Sequence, residues 1–147
     1  MSTIKVDTYL TRGGASEIAI DKLKGASSAG SMTIVGEGGS TTTNLQQGLN
    51  KQWIDMNQSA ASIGDSFNTT SITDIDAGDF NVTITNAYAN INYAMGVSGT
   101  NVSNGNGLVS MQGVVPTTTV YRLAGYLTNG TNMDLSQVKA ITAGELA

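Results

Sequence analysis

Three aspartates, Asp74, Asp76 and Asp79, stand close together around the glycine at position 78. Carboxylates in such a run are the ligand type of a hard cation such as Ca²⁺. The spacing departs from that of a helix-loop-helix calcium loop. Counted from Asp74, glycine falls at the fifth position, and the twelfth is Thr85 where a bidentate Glu belongs. The reading adopted is an acidic hairpin turn in which Gly78 supplies the positive φ. No metal or other cofactor is expected. Glycoside hydrolysis needs two carboxylates across a cleft, and eleven acids are present, so counting alone does not remove it. The chain has no histidine and no cysteine. It therefore lacks the commonest general base, the commonest zinc ligand and every thiol nucleophile. No G-x-S-x-G elbow occurs, and Ser/Lys catalysis has no motif here. The chain is expected not to be an enzyme.

The remaining recognition chemistry is neutral. Tyr88, Tyr93, Tyr121 and Tyr126, with the amide-rich stretch 98–107, are of the type that holds sugars by stacking and hydrogen bonding. Tyrosines on strands are more often core or interface residues, whereas loops on rigid sheets carry recognition. The candidate receptor contacts are Asn101, Asn104, Asn106 and Tyr121. Sequon patterns at Asn57, Asn68, Asn81, Asn101 and Asn129 are expected by chance in so Asn-, Ser- and Thr-rich a chain.

The elements that position these residues are short strands. In 147 residues, charged side chains make up 12% and apolar ones 39%, against typical fractions of about 25% and about 45–50%. Gly, Ser, Thr and Asn make up the difference, which suits a β-rich chain with a hydroxyl- and amide-covered surface. From Phe80 to Tyr121 there is no charged side chain. The net charge is −4 and the seven basic residues are scattered, so nucleic acid is not an expected partner. The start has no apolar h-region, so no Sec leader is expected. No run approaches the roughly 20 apolar residues of a membrane span, and no membrane insertion is expected.

Residues 1–36 carry a repeat with a 14-residue step, pairing Ile4/Val6, Ile18/Ile20 and Met32/Ile34. Each i, i+2 pair faces one side of a short strand. Units so small need neighbours to bury their faces, and copies around a symmetry axis supply them. The alternative is coincidence in a Gly/Ser-rich tail. Gly36–Thr43 reads as a joint. Asn44 caps a short helix to Lys51 that aligns Leu45, Leu49 and Trp53 on one face, either as a trimer collar or lying on the β-domain.

From Trp53 the period becomes two. Strands are expected at Trp53–Asn57, Ile63–Asn68, Thr70–Ile75 and Phe80–Thr85, the last two as a hairpin. The apolar phase slips at Asn86-Ala87, onto Ala87, Ala89, Ile91 and Tyr93, which demands a turn or bulge. A loop is expected over 98–107, strands over Leu108–Val115 and Thr118–Leu123, and a type I′ hairpin at Asn129-Gly130. The tail is read as a last strand and a loose end. The division is 1–43 as arm, 44–52 as connector and 53–147 as an antiparallel head, a sandwich or small barrel in an all-β protein.

Leu45-Gln46-Gln47-Gly48-Leu49-Asn50-Lys51-Gln52-Trp53, followed by Asp65-Ser66-Phe67-Asn68, Ser71-Ile72-Thr73-Asp74, Gly78-Asp79-Phe80 and Asn92-Tyr93-Ala94, resembles a module of bacteriophage tail-fibre and virion-appendage proteins. The opening Ser2-Thr3-Ile4-Lys5-Val6 is similar to starts of such proteins. The resemblance covers positions 2–10 and 45–97. It implies a homotrimeric, β-rich element on the phage particle surface, with the repeat residues, Leu45 and Leu49 in the trimer core. Tail or capsid proteins would be its partners, and host cell-surface glycans a further one. A long shaft is missing here, which leaves a short fibre or spike, a head fibre or a capsid decoration protein. A secreted carbohydrate-binding module fits the composition but not the repeat.

Overall fold

The computed structural model describes residues 32–36, 39–101, 107–111 and 113–147. The chain is all-β and antiparallel. A small hairpin joins β1 (Thr33–Val35) to β2 (Thr42–Asn44), and one helical turn, α1 (Leu45–Gly48), follows. Eight further strands are β3 (Asn50–Asn57), β4 (Ser62–Phe67), β5 (Thr69–Asp76), β6 (Asp79–Ile84), β7 (Ala94–Thr100), β8 (Leu108–Met111), β9 (Val120–Tyr126) and β10 (Gln137–Ala143). They form two four-stranded sheets, ordered β4-β3-β10-β7 and β5-β6-β9-β8.

Period-two patterning explains the core. Ile54 and Met56 of β3, Val138 and Ala140 of β10, Phe80, Val82 and Ile84 of β6, and Tyr121 and Leu123 of β9 are buried in one cluster drawn from both sheets. Leu135 and Tyr88 complete it from connecting segments. Each large side chain so buried contributes about 1.5–3 kcal/mol. The same alternation points Trp53 and Asp55, Lys139 and Ile141, and Asn81 and Thr83 away from the cluster.

Local chemistry sets the corners. At Asn68 the chain leaves β4 for β5 with φ of 55°. Asparagine tolerates this left-handed conformation better than most residues. Its amide also binds the corner: Nδ2 donates to the carbonyls of Lys51 (2.9 Å) and Asn86 (3.2 Å), and Oδ1 accepts from the Asn86 N–H (2.7 Å). The expected β5–β6 hairpin forms with Gly78 at φ of 75°. A Cβ there would collide with the carbonyl of Gly125 and would come within 2.8 Å of the Met133 nitrogen. The turn tucks against β9, with the Gly125 N–H donating to the Gly78 carbonyl at 2.6 Å.

Several expectations are corrected. The helix ends at Gly48 and β3 begins at Asn50, so Leu45, Leu49 and Trp53 do not share a helical face. Gly48 and the β-forming pattern after it outweigh a single marginal turn. Ala87–Tyr93 is not a strand. It is an irregular crossing in which the rings of Tyr88 and Tyr93 stack at 4.3 Å. The next strand starts at Ala94 and takes in Ser98–Thr100, the first part of the expected loop. Asn129 does not have positive φ whereas Gly130 does, at 84°, so the turn is not type I′. The end is tied down: Tyr88 bridges to Leu146, and the Ala147 N–H donates to the Ala87 carbonyl at 3.0 Å.

Candidate functional site

The buried polar groups are structural. Gln52, on the inward face of β3, accepts at Oε1 from the Tyr121 hydroxyl (3.1 Å) and the Thr142 hydroxyl (3.2 Å), and donates from Nε2 to Thr69 Oγ1 (2.9 Å). Tyr88 and Thr142 share a hydroxyl hydrogen bond of 2.5 Å. This network ties β3 and β10 of one sheet to β5 and β9 of the other. Burial pushes the Tyr121 and Tyr88 hydroxyls up from the ordinary phenol range, opposed by their hydrogen bonds to Gln52 and Thr142. Burial, then the neighbouring Tyr88, pushes Tyr93 up to about 12. These phenols stay protonated at neutral pH and act as fixed hydrogen-bonding groups.

Tyr121 is thus an inter-sheet strut with its ring in the core, and it does not face a ligand. Asn101 is also buried and donates from Nδ2 to the Met133 sulfur at 3.4 Å. The alternation of β9 turns Tyr121 inward, whereas Asn101 is buried just past the end of β7. Asn104 and Asn106 lie outside the described residues, as do Ile4, Val6, Ile18 and Ile20 of the expected trimer core. Met32 and Leu45 are half-buried. Ile34 and Leu49 are 55% and 53% exposed in the single chain.

The acidic turn is also resolved into particular roles. Asp79 is buried and takes a two-pronged ion pair from Arg122, whose Nε donates to Oδ1 at 2.6 Å while Nη2 bonds Oδ2. The Asp76 carboxylate accepts from the Ala77 N–H within the turn (2.8 Å). The Asp79 hydrogen bond holds the Arg122 guanidinium above its ordinary value. Among the described residues no cluster of acids is arranged to hold a metal ion.

The surface that stands out is the outer face of the β4-β3-β10-β7 sheet. The register places Phe67, Trp53, Ile141 and Gly96 in one row across its four strands. The three large side chains are 54%, 37% and 41% exposed. The next row is Asp65, Asp55, Lys139 and Ser98, and Lys139 Nζ pairs with Asp55 Oδ2. A groove of about 540 Å³ runs between Trp53 and β7. The outer face of the other sheet differs, with rows Thr73-Asn81-Arg122 and Ser71-Thr83-Val120. Those rows are polar apart from Val120, whereas the β4-β3-β10-β7 face carries an aromatic and aliphatic row. Sequence reasoning placed Trp53 both on the helix face and at the start of a strand, and missed its row with Phe67 and Ile141 because that row depends on cross-strand register. The signal was present in Ile54 and Met56, whose inward phase leaves Trp53 outward.

The described residues form an all-β protein of antiparallel sheets, one of which exposes an aromatic and aliphatic row. Comparison with protein-family models, with curated proteins and with solved structures finds no match for the chain. Among the described residues no helix is long and apolar enough to cross a membrane.

Proposed function

We infer that the chain is a virion structural protein, a homotrimeric short tail fibre or spike that is not an enzyme. In this reading the N-terminal arm docks on the particle, and the two sheets are the layers of a β-sandwich head turned outward to the host surface. The observation that carries the reading is the β1–β2 hairpin with its neighbour Leu49. Two strands of three residues cannot bury their own apolar side chains, and Ile34, Val35 and Leu49 are all more than half exposed. Ile34 and Leu49 line an open groove between the hairpin and α1. Further copies of the chain would cover them, and this is the segment that leads into residues resembling the fibre module. A surface of hydroxyls and amides with few charges suits a particle component exposed to solvent.

The test is mass in solution, followed by microscopy of particles. A trimer is expected for the native chain, and Ile34→Asp with Leu49→Asp should yield folded monomers. A stable native monomer at micromolar concentration sinks the reading. Labelled protein at the tail supports the fibre, whereas labelling spread over capsid faces would assign it as a decoration or cement protein.

A further inference from the structure

The groove beside Trp53 is one end of a longer trough, and its lining changes in character along its length. β7 is the edge strand of its sheet. Its outward residues Gly96, Ser98 and Thr100 are small, and they oppose the longer Ile141, Lys139 and Gln137 of β10. This difference in side-chain size hollows the sheet surface along the β7–β10 boundary. A second groove, of about 210 Å³, lies against Thr100 and Gln137. Ser98 and Lys139 line both grooves, so the two adjoin along the β7–β10 boundary. Four strand steps lead from Ile141 to Gln137, roughly 13 Å at a β-strand rise.

One end is therefore apolar and aromatic, with the floor opened by Gly96. The other end offers hydroxyl and amide groups. Between them the ammonium of Lys139 and the carboxylate of Asp55 cancel each other's charge, yet each remains about half exposed, at 55% and 44%. Such a pair adds little to stability but keeps hydrogen-bonding capacity toward a ligand. A long, narrow, uncharged trough with a flat aromatic wall matches a linear neutral oligosaccharide. The apolar face of one sugar ring would lie on the indole, and hydroxyls further along would meet Lys139, Asp55, Ser98 and Gln137. An anionic glycan would meet the Asp55 carboxylate without a surplus cation to offset it. We propose that this trough is a binding site for a linear neutral glycan, with Trp53 as the stacking platform. The proposal rests on the reading of the head as a host-facing surface and relocates glycan contact from Asn101 and Tyr121 to the sheet face.

Trp53 is the only tryptophan in the chain, so its fluorescence reports on the trough alone. The full chain is titrated with maltohexaose, cellohexaose, chitohexaose and the anionic hyaluronan hexamer, and mass in solution is recorded in parallel. The expected result is a change in Trp53 emission, with protection from acrylamide quenching, on adding at least one neutral hexamer. Gly96→Val fills the trough at an exposed position, with its Cβ 3.3 Å from Ile141 Cγ2, and should weaken binding about tenfold or more while the chain still unfolds cooperatively. Trp53→Ala should do the same by calorimetric titration, and Thr83→Val on the other sheet should change nothing. Silence toward all three neutral sugars overturns the proposal, as does binding that persists in Gly96→Val or a stronger response to hyaluronan. Trp53 already shielded without sugar, with Trp53→Ala lowering the solution mass, also overturns it by assigning the face to contact between copies. A monomer that still binds a neutral hexamer leaves the glycan site standing and removes the trimer.

Discussion

Replacing Gln52 by leucine should cost about 2–3 kcal/mol, and the cost should fall when Tyr121 is also changed to phenylalanine. Gln52 Oε1 is the acceptor of the buried Tyr121 hydroxyl, and no other partner of that hydroxyl is seen among the described residues. In Gln52→Leu the hydroxyl is stranded in the core, which costs about 1–3 kcal/mol for the desolvated group. Thr142 is not stranded, because its hydroxyl keeps its bond with Tyr88. Tyr121→Phe alone removes one donor while Gln52 Oε1 still accepts from Thr142, so about 1 kcal/mol is expected. The double variant has neither orphan and should be more stable than Gln52→Leu alone by about 1 kcal/mol. Urea unfolding of the four proteins measures the cycle, at one protein concentration because assembly would otherwise shift the midpoints. Additivity within about 0.5 kcal/mol would falsify the claim that these two side chains form one inter-sheet unit.

Two further outcomes are expected. Asn68→Ala should lose more stability than Asn68→Gly, by about 1 kcal/mol, because both lose the three corner hydrogen bonds while only glycine relieves φ of 55°. Equal losses in thermal melts would show that backbone strain is not what selects asparagine. Raising the pH should destabilise the fold through its tyrosines. Tyr93 titrates near 12 when folded and near about 10 when unfolded, so its contribution is complete below about pH 10 and is lost as pH rises toward 12. Tyr88 and Tyr121 shift in the same direction. Stability that stays flat from pH 9 to about 12, followed by circular dichroism and tyrosinate absorbance, would contradict the burial of these rings.

Period-two alternation made much of the head legible. Ile54/Met56 and Phe80/Val82/Ile84 mark their inward faces, and Asp76-Ala77-Gly78-Asp79 marks its turn, because strand geometry and glycine's φ are local properties. Val138 and Ile141 fall in the last strand that the tail was read as, whereas Leu135 precedes it and enters the core from a connecting segment. The crossing from Ala87 to Tyr93 was not legible, since its alternation is genuine but its backbone pairs elsewhere and its tyrosines stack on each other. Asn101 and Tyr121 look like recognition residues by side-chain type, but the phase of β9 turns Tyr121 inward and Asn101 is buried just past the end of β7.

The chain by itself determined an all-β, sparsely charged protein without the side chains of imidazole or thiol chemistry. Those properties follow from composition and from spacing within single strands. Tertiary structure decided which strands lie side by side, and a candidate surface depends on that. Phe67, Trp53, Ile141 and Gly96 are distant in sequence and form a row only because β10 inserts between β3 and β7. Cross-strand register is a long-range pairing between segments up to about ninety residues apart, as in Gln52 and Thr142, and no local pattern encodes it.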